Sequence, residues 1–217
     1  PYMNAIVTNV PLLLENRGWE GAVTAELVNT EKFSLSANFN ISRNRNILVA
    51  FPDLENTPYA GQYAIGQSVN TQYVYHFVGV DPLTGVIAFK DYNNDGIISN
   101  NWVMAPAAGA DDRGKAYDLQ PRFAGGFGLS GNYKKLTFGF FFTYKKQLGR
   151  NLYASLYYSP GAFNQNLPPE FITGAHWQKA GDISTYPAFT THPVIDSWSS
   201  IYFSDLSFTD ASFIRLN

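Results

Sequence analysis

Five stretches of the chain alternate apolar and polar residues with a period of two, the spacing that gives an extended strand one apolar and one polar face. The pattern is cleanest where Phe33, Leu35, Ala37, Phe39 and Ile41 alternate with Ser34, Ser36, Asn38, Asn40 and Ser42. It predicts strands at about 17–27, 33–48, 122–130, 136–147 and 206–217, the last with imperfect alternation. In the first, Trp19, Gly21, Val23, Ala25 and Leu27 share one face, and Glu20, Ala22, Thr24 and Glu26 the other. In the third, Phe123, Gly125, Phe127 and Leu129 alternate with Ala124, Gly126, Gly128 and Ser130. In the fourth, Leu136, Phe138, Phe140, Phe142 and Tyr144 oppose Thr137, Gly139, Phe141 and Thr143, so Phe141 is the one bulky residue on its polar face.

The spacing between strands is as informative as the strands. Residues 28–32 and 131–135 are short connections of hairpin length. Residues 50–121 and 148–205 are long excursions rich in Gly, Pro, Asn and Asp, with weaker strand signals at 72–80 and 85–90. Strand parity puts both short turns at one end and both long loops at the other. That is the layout of an outer-membrane barrel, with brief periplasmic turns and long extracellular loops. The expected fold is therefore all-β: antiparallel transmembrane β-barrel strands with two long extracellular loops. Apolar side chains such as Phe138 and Phe140 would face lipid, and Thr137, Glu20 and Glu26 a watery lumen. A soluble sandwich alternates in the same way and would bury the apolar faces against each other. It would leave two loops of more than about fifty residues to explain, and such loops are uncommon without a function.

Composition favours the barrel. Aromatic residues make up 16% of the chain and charged residues 15%, against roughly 25% charged in soluble domains. The net charge of -2 comes with no basic cluster of the kind a nucleic-acid site needs, which argues against nucleic acid as a partner. The absence of cysteine excludes disulfides, thiolate-ligated zinc and thiol catalysis. No apolar run is long enough for a transmembrane helix, which has no bearing on strands. The chain starts at Pro1 and ends on Ile214, Arg215, Leu216 and Asn217 inside a predicted strand, so it reads as a piece of a longer polypeptide.

Candidate chemistry lies in the long loops. Asp91, Asn93, Asp95 and Gly96 match the first half of a calcium loop, whose alternate side-chain oxygens converge on the ion. The twelfth position, where an EF-hand places a bidentate Glu, is Trp102, so the alternative is a turn whose Asx side chains bond their own backbone. Trp102, Tyr157, Tyr158, Trp177 and Trp198 offer flat apolar faces to a sugar ring or a protein lid, or simply pack the loops. His76, His176 and His192 are scattered, and the nearest approach to a G-x-S-x-G element, Gly66, Gln67, Ser68 and Val69, ends in Asn70. Nothing here favours an enzyme.

Short motifs in a fixed order carry a family resemblance. Asn16, Gly18 and Glu20 are similar to an N-x-G-x-E strand opening, and Asn40, Ser42, Asn44 and Asn46 to an N-x-S-x-N-x-N strand ending. Tyr75, Phe77, Val78 and Gly79 form an aromatic segment ending in Gly, followed by Gly85 and the run Asp91 to Gly96. Pro121, Phe123 and Gly126 resemble a P-x-F-x-x-G strand start, and Ser212 to Leu216 an S-F-[IL]-R-L strand. Together these resemble the carboxy-terminal barrel of SusC/RagA-type TonB-dependent outer-membrane transporters. The family's acidic residue after the Asp-rich loop is replaced by Asn101, Trp102 and Val103. The resemblance implies a larger barrel of roughly 22 strands and a plug domain and TonB-contacting box upstream of this chain. It further implies import of oligosaccharides or peptides through the outer membrane of a Gram-negative bacterium, beneath a SusD-like surface lipoprotein. The residues alone leave two alternatives open, a barrel adhesin or passive porin and a soluble β-sandwich that binds carbohydrate.

Overall fold

A computed structural model describes residues 9–98, 112–151, 169, 174, 176–190 and 201–217. Its largest element is a five-stranded antiparallel sheet of β1 (Leu13–Asn29), β2 (Phe33–Ala50), β7 (Phe123–Tyr133), β8 (Leu136–Lys146) and β11 (Phe213–Leu216), in that spatial order. Each strand lies beside the next sheet strand in the chain, so the sheet is a meander. β1 starts at Leu13 rather than near Arg17, because Leu14 pairs with Leu48 and an irregularity at Leu13 lets the strand continue past the break in alternation.

Register aligns the alternation of all five strands. Val23, Phe39, Phe127, Phe142 and Leu216 form one cross-strand row. Gly21, Ile41, Gly125, Tyr144 and Ile214 form the row on one side of it, and Ala25, Ala37, Leu129 and Phe140 the row on the other. The opposite face carries Ala22, Asn40, Gly126, Thr143 and Arg215, then Thr24, Asn38, Gly128 and Phe141, then Glu26, Ser36, Ser130 and Gly139. One face is continuously apolar and the other mostly small and polar, as the period of two requires.

A soluble sheet would bury its apolar face. Here none of those side chains is buried: Val23 is 63% exposed and Phe140 52%, while Leu35 and Phe138 are half-buried by strand neighbours alone. The buried hydrophobic residues, Leu48, Phe51, Leu54, Val74, Tyr75, Ile87 and Ile201, all lie outside these rows, towards the long-loop end. Among the described residues the sheet has no core of its own, which is how a wall solvated by lipid on one side and water on the other is built. From Phe33 to Ile41 the apolar side of β2 spans nine residues, about the length of a tilted membrane strand. Trp19, opposite Arg43, marks the upper edge, and Tyr133, with the Lys134 ammonium over its ring, the lower.

Strand glycines lie under aromatic rings. A Cβ at Gly125 would fall 2.5 Å from the Tyr144 hydroxyl, which crosses above Gly125 to donate to the Asn40 carbonyl at 2.9 Å. On the polar face Phe141 lies over Gly126 in the same way, which seats the one bulky ring of that face. Phe127 stacks on Phe142 and Phe39 on Tyr144, adding cross-strand aromatic pairs.

Above Ser42 and Ala124 the wall divides. β2 continues to Ala50 against β1 alone, while β7 starts only at Phe123. On the other flank, β9 (Leu148–Arg150) pairs with β10 (Phe208–Asp210) and prolongs the β8–β11 ladder. The strand expected over 206–217 is thus two strands. Ser212 interrupts it, because its hydroxyl accepts the Gln147 amide that would otherwise join the ladder. Between these uprights lie β3 (Thr71–Val74) paired with β6 (Lys115–Asp118), and β4 (Phe77–Val80) paired with β5 (Ile87–Phe89).

Lysine at Phe138 or Phe140 is expected to cost roughly 2–4 kcal/mol at mid-membrane depth and to deplete membrane-inserted, heat-modifiable protein. Lysine at Thr137 or Ser130, on the polar face, should leave the inserted yield near wild type. Equal yields for the two sets would show that the faces are misassigned.

Candidate functional site: an interlocked cap at the loop end

The cap is organised by polar side chains that take over where the strand ladder stops. Asn46, on the polar face of β2, accepts the Ser68 hydroxyl at 2.9 Å and the Val69 amide at 3.0 Å, while its own amide donates to the Gln120 side chain. That fixes both ends of the first excursion to one residue. Two positions on, Leu48 is 1% exposed and packs with Phe51 and Leu54 against Leu12, Tyr63 and Val69. The polar face of the wall thus becomes the packed face of the cap.

The two excursions are then tied to each other. Tyr75 bridges Ser204 in parallel, with the Tyr75 amide donating to the Phe203 carbonyl and the Asp205 amide to the Tyr75 carbonyl. Asp205 accepts the Phe77 amide at 2.9 Å and pairs with His76 Nδ1 at 2.6 Å. Arg150 is the second tie. Its guanidinium donates to the Gln72 side-chain oxygen at 2.8 Å and to the Tyr202 carbonyl at 2.6 Å, and lies over the Tyr202 and Phe208 rings. Tyr117 stacks on Phe208 from the first excursion. Ile87 and Ile201 form a second small core joined by Phe77, Phe89, Tyr186, Phe189 and Leu206. At the ends of β8 and β10, Lys146 pairs with Asp210, and this bond together with those from Ser212 holds the Asp210 carboxyl below the usual carboxylate range.

Of the aromatic candidates, Trp177 is described. Its indole N–H donates to the Pro82 carbonyl at 2.9 Å, and its ring lies so close over Gly85 that a Cβ there would clash at 2.5 Å. Gly85, at φ +70°, forms the turn that makes room for it. Half-buried, the ring closes the β4–β5 turn and leaves only part of its surface for a ligand. Trp102, Tyr157, Tyr158 and Trp198 lie outside the described residues, as does His192. His176 stacks its ring on Phe189.

The Asp91 loop is a self-bonded turn. Asp91 accepts the Asn94 and Gly96 amides, Asn93 the Asp95 amide and Asp95 the Ile97 amide, with Asn94 and Gly96 in left-handed conformations. Buried Asp112 anchors it by accepting the Tyr92 amide. For Asp91, Asn93 and Asp95 to hold calcium, those oxygens would have to share or release these amides. Among the described residues no three His, Cys, Asp or Glu side chains converge to hold a metal.

Sequence reasoning did not single out Arg150, Asp205 or Gln72. Each acts on a residue dozens of positions away, and no periodicity marks such a partner. Asn46 had a signal, the last Asn of the N-x-S-x-N-x-N ending.

No protein-family model matches the chain. A curated protein described as a TonB-dependent receptor, from Formosa agariphila, is 26% identical over 227 residues, covering 81% of this chain and 21% of that protein. Among solved structures, the RagAB peptide transporter superposes with a TM-score of 0.66 at 20% identity, covering 94% of this chain and 22% of the other. The RagAB peptide importer in its open-open state gives 0.64 at 18% identity, covering 94% and 21%. The chain spans about a fifth of the length of the relatives it matches. Its similarity is to TonB-dependent transport proteins of the outer membrane, and its fold is a wall segment of their β-barrel, unclosed by itself. These similar proteins are receptors and transporters rather than enzymes.

Replacing Arg150 with Ala removes three charge-assisted hydrogen bonds, to Gln72, Tyr202 and Ser207, each worth roughly 1.5–3 kcal/mol. Faster amide exchange at 71–74 and 202–208 is expected in the inserted protein, with exchange over 33–42 unchanged. Lysine at 150 should recover only part of the protection, because it lacks the planar fork.

Proposed function

We propose that the chain is part of a SusC-like, TonB-dependent nutrient importer of a Gram-negative outer membrane. In this reading it takes up oligosaccharides or peptides with a SusD-like lipoprotein as lid. The observation that carries it is the wall itself: one face apolar and uncovered, the other polar, ending in a cap in which two excursions are locked together. Passage of a hydrophilic nutrient across a lipid bilayer needs a polar conduit, and Ser36, Asn38, Asn40, Thr143 and Glu26 on the polar face would line one side of it.

The cap would be extracellular, because long loops emerge on that side. It also offers a surface for a lid. Val78, Leu83 and Val86 on the β4–β5 hairpin are 63%, 71% and 42% exposed, and Ile183 is 94% exposed on a segment held to the same hairpin by Gly181 donating to Pro82. Four apolar side chains without cover at the tip of a cap fit a protein partner better than bulk water. Trp177 would brace that tip, and Trp102, Tyr157, Tyr158 and Trp198 would contact substrate or lid. TonB would act through a plug domain upstream of this wall, and the wall would stay rigid while the plug moves. Calcium in the Asp91 loop would stiffen the base of the same hairpin.

Cells expressing the full-length protein should accumulate labelled oligosaccharide or peptide only with an energised inner membrane and an intact TonB-contacting box. Uptake that persists without either would make the protein a passive porin. Aspartate at both Leu83 and Ile183 should reduce co-purification of the surface lipoprotein roughly tenfold or more without changing barrel insertion.

A further inference from the structure

The outer side of the wall carries a feature that import does not use. Following the apolar face of β2 upward, the row after Ile41 is Arg43 opposite Trp19, and the next is Arg45 opposite Arg17. These four residues share the lipid-facing side, and Arg43 stands about 7 Å above Ile41. Because β7 starts only at Phe123, a notch opens beside them where the wall divides. The notch has a volume of about 880 Å³ and is lined by Trp19, Arg43, Arg45, Tyr117, Arg122 and Leu148, with Ile41 and Phe123 at its foot. A second hollow of about 280 Å³ lies between Arg17, Trp19, Arg43 and Arg45.

We propose that this notch binds the phosphate-bearing headgroup of an outer-leaflet lipid. The charge balance favours an anion: four guanidinium groups face two carboxylates, Glu15, 3.6 Å from Arg17, and Asp118, which accepts the Gln120 amide. The side chains of Arg43, Arg45 and Arg122 make no hydrogen bond or ion pair with described residues, whereas Lys146 at the same level is neutralised by Asp210 and Arg150 is fully engaged in the cap. Unpaired guanidinium groups at the edge of hydrocarbon are strongly stabilised by a fork-shaped acceptor, and phosphate matches their geometry. Height selects a lipid over a soluble anion. Trp19, Arg43 and Arg45 line the notch from the lipid-facing side of the hairpin, and Ile41 and Phe123 at its foot are the top of the apolar band, so acyl chains would lie along Ile41 and Phe123 while the headgroup meets the arginines.

The proposal requires the apolar face to meet lipid, as in the reading above, but not that the protein imports anything. A protein that binds lipid and transports nothing would leave it standing. The test uses the full-length protein extracted from membranes and shown to be assembled by heat-modifiable migration. Native mass spectrometry compares added lipid A, the same lipid A stripped of phosphate, and inorganic phosphate as competitor. Expected are adducts with lipid A that fall at least roughly fivefold on dephosphorylation and by a similar factor in Arg43→Gln/Arg45→Gln, with Lys135→Gln at the other end of the wall unchanged. Equal binding of dephosphorylated lipid A, wild-type binding by the double variant, or displacement by equimolar inorganic phosphate would each overturn it. If the double variant does not assemble, raising salt from about 0.1 M to about 0.5 M on the wild type decides: adducts must decline, and constancy overturns the proposal.

Discussion

Hydrocarbon offers no hydrogen bonds, so every backbone amide and carbonyl in the membrane must be bonded within the ladder. That constraint explains where this chain is regular and where it is not. Between β2 and β7 the register runs without interruption from the Phe33–Tyr133 pair to the Ser42–Ala124 pair. Two irregularities of the wall fall at the loop end, at Leu13 and Leu14 and at Gln147 and Ser212 where the β8–β11 ladder leaves it; a third, between Glu26 and Val28, lies near the short turn opposite Ser36 and Leu35. A five-stranded segment still has two unpaired edges, at β1 and β11, and becomes satisfied in lipid only within a closed barrel.

Once the chain rises above the lipid, the same constraint is met differently. Side chains replace strands as bonding partners, and they act over long separations: Asn46 to Ser68, Asp112 to Tyr92, Arg150 to Gln72, Asp205 to Phe77. Apolar burial moves with them. Leu48 and Ile201, each 1% exposed, lie in the cap, while the wall beneath exposes its largest aromatics. Among the described residues the hydrophobic core thus lies in the cap, where water surrounds the chain, and the wall has none.

How much of this was legible in the sequence follows from the range of each interaction. The faces of the wall are written locally, since a period of two needs only neighbouring residues: Phe39 and Ile41 point one way, Asn38 and Asn40 the other, and Phe141 was visible as the exception on its polar face. Its accommodation over Gly126 needed the register of two strands. The Asp91 turn was legible as one of two forms, because its hydrogen bonds span at most five residues. The locking of the two excursions was not legible. His76 and Asp205 are 129 positions apart, and neither belongs to a pattern that announces a partner. Trp177 shows the intermediate case: its place in a loop was evident, but its use as a brace over Gly85 depends on a turn conformation that no motif at Trp177 reports.

The upper part of β2 shows what strict alternation allows a single strand to carry. Along Arg43, Asn44, Arg45, Asn46, Ile47 and Leu48, side chains facing the cap alternate with side chains facing the membrane. The cap side provides Asn46 and Leu48, which order the first excursion, and the membrane side provides Arg43 and Arg45 beside Trp19. A slip of one residue would exchange the two sets, placing guanidinium groups in the cap core and Leu48 outside. Such a slip is opposed at both ends: below, by the apolar rows that must meet lipid, and above, by Leu48 bonding through its backbone to Gln67 and Gly66. Membrane and cap therefore fix the same register independently, which makes this hairpin the element through which the wall positions the cap.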